Sequence, residues 1–380
     1  MKPSILVFSV SIGAGHNSAA EAIVQQFNTH HPAGKTSVID TLDFINPLFH
    51  KVLEGSYLST LKFNPKLWGY IYDYTEASRQ SYGVNEAMAS ISYHKVIDLI
   101  QRFKPDIIIA THPFPAGILS SIKEKTGMRI PLISVVTDYG VHAFWIHPHT
   151  DLYFMPAEIM RSECLEKGIP EDKLSFKGIP LRETFSRTYD IAAIKAKFGL
   201  DERPVILVMG GGIGLGSVYT AAKTILGMDQ DIQVIAVAGK NEELYAKLSR
   251  LAEQYATLTV FSYVENVAEL MSISSLMVGK CGGLTVTEAL AMRLPMIILN
   301  PLPGQEARNA DFLTNLGMAA LIRDMEELPH LIDSLYKVPI RLEFMRLMAA
   351  HFGRKEAADD IYRTLMENYL FPLRQEEKLC

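Results

Sequence analysis

Short, nearly uninterrupted apolar runs recur along the chain. In the first half they read ILVFSV (5–10), TSVID (36–40), DIIIATH (106–112), PLISVVTD (131–138), DLYFMPA (151–157) and KLSFKGIP (173–180). The second half carries VILVMGG (205–211), QVIAVAG (233–239), TVFSYV (259–264), SSLMVGK (274–280), PMIILN (295–300) and AALIR (319–323). Helical stretches separate most of them. Strands that are apolar on both faces and alternate with helices predict parallel sheets covered on both sides. Two such series predict two doubly wound, Rossmann-like α/β domains. The polar helical stretch at 182–203 marks the boundary. The expected limits are 1–185 for the first domain and 200–350 for the second, with a closing helix over 351–380 returning toward the first.

In open α/β sheets, ligands sit at the carboxyl ends of the strands. Those ends carry GAGH, Asp40, THPFP, TDYGVHAFW, GGGIGLGS, Tyr263 with Val264, GKCGGLTVTE and NPLPGQE. Gly, His, Asp, Glu and Gln are concentrated there. Two domains facing each other across a cleft would bring both sets together.

The chain has 380 residues, of which 48% are hydrophobic, enough for two cores. A net charge of −5 argues against a nucleic-acid partner, whose affinity rests on phosphate neutralisation. Cys164, Cys281 and Cys380 are scattered, which reads as a reduced, cytosolic chain. The start MKPSILVFSV has no signal-peptide pattern, and no apolar run reaches the ~18 residues of a membrane span.

The glycine turns do not spell a dinucleotide site. Gly13 and Gly15 give G-x-G, but Ser18 stands at the third position. GGGIGLGS completes the fingerprint in no register, and no Walker lysine follows either loop. SAAE at 18–21 has capping-box spacing and predicts a helix start just after His16, with the helix's positive end aimed at the turn. His16 is a candidate general base; its bland alternative is a turn cap. Asp138 follows an apolar strand directly and is a second candidate, or else the head of an Asx turn. His142, His147, His149 and Asp151 match no familiar zinc spacing.

In the second half, GGGIGLGS (210–217) lets backbone approach a ligand closely, and a diphosphate at the following helix start is the expected guest. GKCGGLTVTEALAMRLPMIILNPLPGQEARNADFL (279–313) repeats the glycine-to-helix pattern. Thr285 and Glu288 there have capping-box spacing, while the Glu288 carboxylate alternatively suits the two hydroxyls of a ribose. The amide and carboxylate of PGQE suit the hydroxyls of a hexose.

GKCGGLTVTEALAMRLPMIIL with PGQEARN resembles the nucleotide-sugar half of GT-B glycosyltransferases of family 28. SIGAGHNSAAEAI with VVTDYGVHAFW resembles the N-terminal half of the monogalactosyldiacylglycerol synthase and processive diacylglycerol glucosyltransferase branch. The resemblance runs over roughly 5–313. It implies an inverting, metal- and cofactor-independent transfer of a hexose from UDP-glucose or UDP-galactose to the 3-hydroxyl of diacylglycerol. It further implies His16 as the base near the acceptor hydroxyl, with Asp138 as base or orienter. Gly211 and Gly212 would lie by the diphosphate, and Tyr263 and Val264 by uracil. Gly282, Gly283 and Thr285 would approach the phosphates, Glu288 the ribose, and Gln305 and Glu306 the sugar. A polyprenyl-linked acceptor, a non-catalytic nucleotide-sugar-binding protein and a UDP-GlcNAc epimerase are the alternatives.

A lipid acceptor requires access to a membrane. The stretch 44–80 is crowded with Phe, Tyr and Trp among Lys and His, and Trp68, Tyr70 and Tyr72 are its candidate anchors. Aromatic and basic residues together suit an anionic membrane surface. The expectation is peripheral, monotopic attachment on the cytoplasmic side; the alternative is a helical excursion with its aromatics packed inside.

Overall fold

The computed structural model describes residues 2–11, 14–45, 76 and 81–372. Each of the twelve apolar runs contains a strand. The chain forms two compact units, Met1–Arg182 with Lys355–Cys380 and, between these segments, Glu183–Arg354.

The first unit holds six parallel strands: β1 (Ser4–Ser9), β2 (Lys35–Asp40), β3 (Ile107–Ala110), β4 (Leu132–Val135), β5 (Leu152–Met155) and β6 (Leu174–Phe176). Their order is β2-β1-β3-β4-β5-β6, so the chain leaves β1 toward one edge and then resumes at β3 on its other side. Successive side chains of a strand point to opposite faces. Ile5, Val7, Ile107, Ile109, Ile133 and Val135 therefore pack against Ala20, Ile23 and Phe27 of the Ala14–His30 helix. Leu6, Phe8, Ile108 and Ala110 pack on the other face with the Ser81–Phe103 and Pro113–Thr126 helices. Two covered faces are why these strands read as continuous apolar runs.

The chain returns to this unit at its end. In the Ala357–Leu365 helix, Ala357, Ala358, Ile361 and Leu365 are buried at helical spacing, and Ile361, Leu365, Met366 and Leu370 join the core beneath the first helix. Tyr362 stacks on His30 with ring centroids 4.5 Å apart, and its hydroxyl lies 2.9 Å from His31 Nε2.

The second unit repeats the plan with β7 (Val205–Met209), β8 (Gln233–Val237), β9 (Leu258–Phe261), β10 (Leu276–Gly279), β11 (Met296–Leu299) and β12 (Ala319–Ile322), ordered β12-β11-β10-β7-β8-β9. Here the strand order reverses between β7 and β10.

Two local expectations are corrected. The first helix starts at Ala14, so Ser18 and Glu21 lie inside it and cannot form its capping box. The helix Gly283–Ala291 is entered from Gly282 without a side-chain cap, and Glu288 stands in its interior. In both cases small glycine-rich sequence admits helical backbone earlier than the polar pattern suggests. Among the described residues, no helix is long and apolar enough to cross a membrane.

Candidate active site

In the first unit the strand order reverses at β1 and β3, and the loops leaving them meet. His16 stands in the first turn of the Ala14–His30 helix. Its Nδ1 lies 3.0 Å from the Thr111 carbonyl oxygen, just beyond β3, and 2.8 Å from Thr137 Oγ1, beyond β4. A carbonyl oxygen can only accept, so Nδ1 carries the proton and donates it. Nε2 is then the lone-pair nitrogen, with no hydrogen-bond partner among the described residues. Thr111 closes the arrangement by donating its hydroxyl to the His16 carbonyl at 3.0 Å.

Electrostatics match that geometry. Burial lowers the His16 pKa below the ordinary imidazole value, while the Asp138 carboxylate and the bond to Thr111 oppose the shift. The ring is thereby kept neutral near pH 7, and Asp138 stands ready to favour the charged form. His112 contacts the His16 ring edge-on, with centroids 4.5 Å apart. It caps the Pro113–Thr126 helix, its Nδ1 accepting from the Phe114 N–H at 3.1 Å. Burial and the neighbouring His16 hold the His112 pKa well below the usual range.

The loop after Asp138 is fixed by ion pairs. His142 caps a short turn, its Nδ1 accepting from the Phe144 N–H at 3.1 Å, and its Nε2 lies 3.3 Å from Glu76 Oε2. The same Glu76 oxygen accepts from the Ala143 N–H at 2.8 Å, and Oε1 pairs with Lys167. Burial would raise the Glu76 carboxyl; Lys167, the Ala143 N–H and His142 outweigh it, and the pKa is lowered. Burial pushes His147 down to about 4. The His149 N–H donates to Ser120, and Asp151 pairs with Lys123 and the Leu132 N–H. These histidines are thus spread over separate structural tasks, and among the described residues no cluster of His, Cys, Asp and Glu could hold a metal ion.

In the second unit the loops after β7 and β10 meet at the reversal of strand order. The 210–217 loop is tied down: Lys240 N–H donates to Gly212 at 2.9 Å, and Asn241 Nδ2 to Gly214 at 3.3 Å. Gly214 has φ +63°, and a Cβ there would fall 1.9 Å from the Ala238 carbonyl oxygen. Gly211 and Gly282, by contrast, face open space. Gly282 leads into Gly283 and the helix N-terminus, with Thr285 in the first turn and Glu288 buried within the helix. Tyr263 is exposed after β9, next to half-buried Val264, and Lys240 Nζ lies 5.4 Å from the Tyr263 ring centroid. Gln305 opens the Gln305–Asn315 helix. Glu306 has both oxygens engaged, Oε1 with Lys280 Nζ at 2.7 Å and Oε2 with the Leu302 N–H at 3.0 Å. Cys281 Sγ donates to the Glu306 carbonyl at 3.1 Å, fastening the β10 loop to this helix.

Sequence reading did not single out Thr111, His112, Thr137 or Lys280. The signal present was position, since THPFP, TDYG and GKCGG each follow a strand directly. Trp68, Tyr70 and Tyr72 lie outside the described residues, as does Gly13.

Residues 16–181 match the family model for monogalactosyldiacylglycerol (MGDG) synthase, and residues 205–361 match the glycosyltransferase family 28 C-terminal domain. A processive diacylglycerol beta-glucosyltransferase of Bacillus cereus is 32% identical over 374 residues, spanning 97% of this chain and 95% of that protein. One from Staphylococcus carnosus is 32% identical over 87% of this chain and 84% of its own length. Among solved structures, Acinetobacter baumannii MurG superposes with a TM-score of 0.63 at 15% identity, covering 96% of this chain and all of that one. The UDP-GlcNAc 2-epimerase of Neisseria meningitidis bound to UDP-GlcNAc gives 0.64 at 16% identity, over 97% of this chain and 100% of the other. At those identities the likeness is one of fold, the GT-B architecture.

Proposed function

The chain belongs to the monogalactosyldiacylglycerol synthase and processive diacylglycerol glucosyltransferase branch of glycosyltransferase family 28, and from that membership we propose that it transfers glucose from UDP-glucose to the 3-hydroxyl of diacylglycerol. The observation that carries the catalytic part is the Nε2 of His16, unpartnered among the described residues. Its tautomer is set by the Thr111 carbonyl on the opposite nitrogen.

The acceptor hydroxyl gives its proton to His16 Nε2 as its oxygen attacks the anomeric carbon, and UDP departs with the bonding electrons. The imidazolium that forms lies beside Asp138, whose carboxylate favours the charged ring. Asp138 thus stabilises the protonated base, while Thr111 and Thr137 orient it. UDP-glucose is α-linked, so a single displacement yields a β-glycoside, in keeping with the names of the relatives. The departing diphosphate gathers negative charge. The Gly282 backbone, open beside a helix N-terminus, and the 210–217 loop suit it. Glu288 is assigned to the ribose, Tyr263 and Val264 to uracil, and Gln305 with Glu306 to the hexose. Trp68, Tyr70 and Tyr72 are assigned to an anionic membrane surface on the cytoplasmic side.

Purified protein incubated with diacylglycerol vesicles and each UDP-hexose in turn tests this reading. The expected product is a β-glucosyl lipid, identified by mass and by the coupling constant of its anomeric proton. A galactolipid would overturn the choice of sugar. Transfer confined to a polyprenyl-linked acceptor, or epimerised donor without any acceptor, would overturn the reaction.

A further inference from the structure

His112 is used by nothing described so far except a helix start. Its Nδ1 accepts the Phe114 N–H, so its proton resides on Nε2. Its ring is neutral, held so by burial and by His16. Among the described residues that Nε2–H has no acceptor, and it is not one of the sealed, unpartnered polar atoms. The situation mirrors His16, whose Nδ1–H is spent on Thr111 and whose bare Nε2 is open. Two touching imidazoles at the switch point thus have opposite hydrogen-bonding character, one accepting and one donating.

We propose that His112 is an acceptor-binding residue: its Nε2–H donates to the oxygen on the glycerol carbon adjacent to the attacking hydroxyl, while His16 Nε2 takes the hydroxyl proton. Diacylglycerol carries an ester oxygen on that neighbouring carbon, so its vicinal oxygens offer one donor and one acceptor to a matching pair of rings. The inference rests on the proposed lipid acceptor and on His16 as base. It adds the group that recognises the acceptor as a glycerolipid and not merely as an alcohol.

The test is His112→Ser, since serine caps a helix start about as well as any residue and lacks a donor reaching as far as the imidazole Nε2. His112→Asn, a second good cap, replaces it if the serine variant fails to fold. Initial rates are measured against diacylglycerol in mixed micelles at saturating UDP-glucose, across pH. The KM for diacylglycerol should rise about 2- to 10-fold, the worth of one neutral hydrogen bond, with a smaller change in kcat and an unmoved acid limb. A fall in kcat with KM constant, or a shifted acid limb, would make His112 a prop for His16 and overturn the inference. Unchanged kinetics would leave it a helix cap and overturn it equally. Absence of transfer by the parent protein is a different result, and it removes the proposed reaction itself.

Discussion

Replacing His16 with alanine separates a catalytic base from a turn residue. The single Nδ1–H is shared between the Thr111 carbonyl and the Thr137 hydroxyl, a contact worth about 1 kcal/mol to the fold. That loss is small beside the roughly 5–15 kcal/mol that holds a domain together, so the variant should fold. The loss of Nε2 is larger. General-base help contributes roughly 10²–10⁴-fold, or about 2.7–5.5 kcal/mol of barrier, and turnover should fall by that factor. UDP affinity by calorimetry should be unchanged, because the loops proposed to hold the nucleotide belong to the second unit. The pH profile gives an independent reading. His16 must be neutral to act, and burial lowers its pKa, so the acid limb of kcat should lie below the ordinary imidazole range. Asp138→Asn removes the charge that raises that pKa, so the limb should move to still lower pH while turnover drops for want of a counter-charge. If Asp138→Asn abolishes turnover at every pH and His16→Ala stays within roughly threefold of the parent, the assignment of base is wrong and Asp138 takes it.

Glu288→Ala should weaken UDP binding by about 1.5–3 kcal/mol per ribose hydrogen bond lost, read by calorimetry; unchanged affinity would return Glu288 to a packing role. Gly214→Ala should lower the unfolding free energy, read from urea titration, by more than the about 1–3 kcal/mol of backbone strain, because its Cβ meets the Ala238 carbonyl, whereas Gly211→Ala, facing open space, should cost only the strain. Replacing Trp68, Tyr70 and Tyr72 together with Ser should reduce sedimentation with anionic vesicles while UDP binding persists; equal pelleting would remove these residues from the membrane contact.

The inner strands were legible because β3, β4, β7, β8, β10 and β11 are buried at every position, which demands apolar residues throughout, whereas the edge strands β2, β6 and β9 are largely half-buried. Helix starts were less so. SAAE and TVTE have the spacing of a capping box, yet Ser18 and Thr285 both lie within helices that begin earlier, at Ala14 and Gly283. A capping box is only a spacing, and an amphipathic helix interior meets the same spacing by chance. His16 and Asp138 were legible from their places after strands. Their partners were not, because Thr111 and Thr137 act through a carbonyl and a hydroxyl separated from His16 by 95 and 121 residues. No local pattern encodes that meeting; the order β2-β1-β3-β4 does. Lys280 was hidden for a related reason, since its partner Glu306 belongs to the helix that follows the next strand.

The return of the Ala357–Leu365 helix to the first unit separates the order of synthesis from the order of folding. The ribosome delivers β1 to β6 and then the whole of Glu183–Arg354 before Ile361, Leu365, Met366 and Leu370 emerge. At a synthesis rate of about 5–20 residues per second, the face beneath the first helix waits roughly 10–30 s for its last layer. Fully burying such side chains contributes about 1.5–3 kcal/mol each, so four of them rival the entire net stability of a domain. The second unit, continuous in sequence, can therefore become native while the earlier-made one is still incomplete and in need of a chaperone's shelter. A nascent chain stopped after Arg354 would keep the 210–217 and Gly282 loops in a finished fold and lose the histidine pair with the unfinished one.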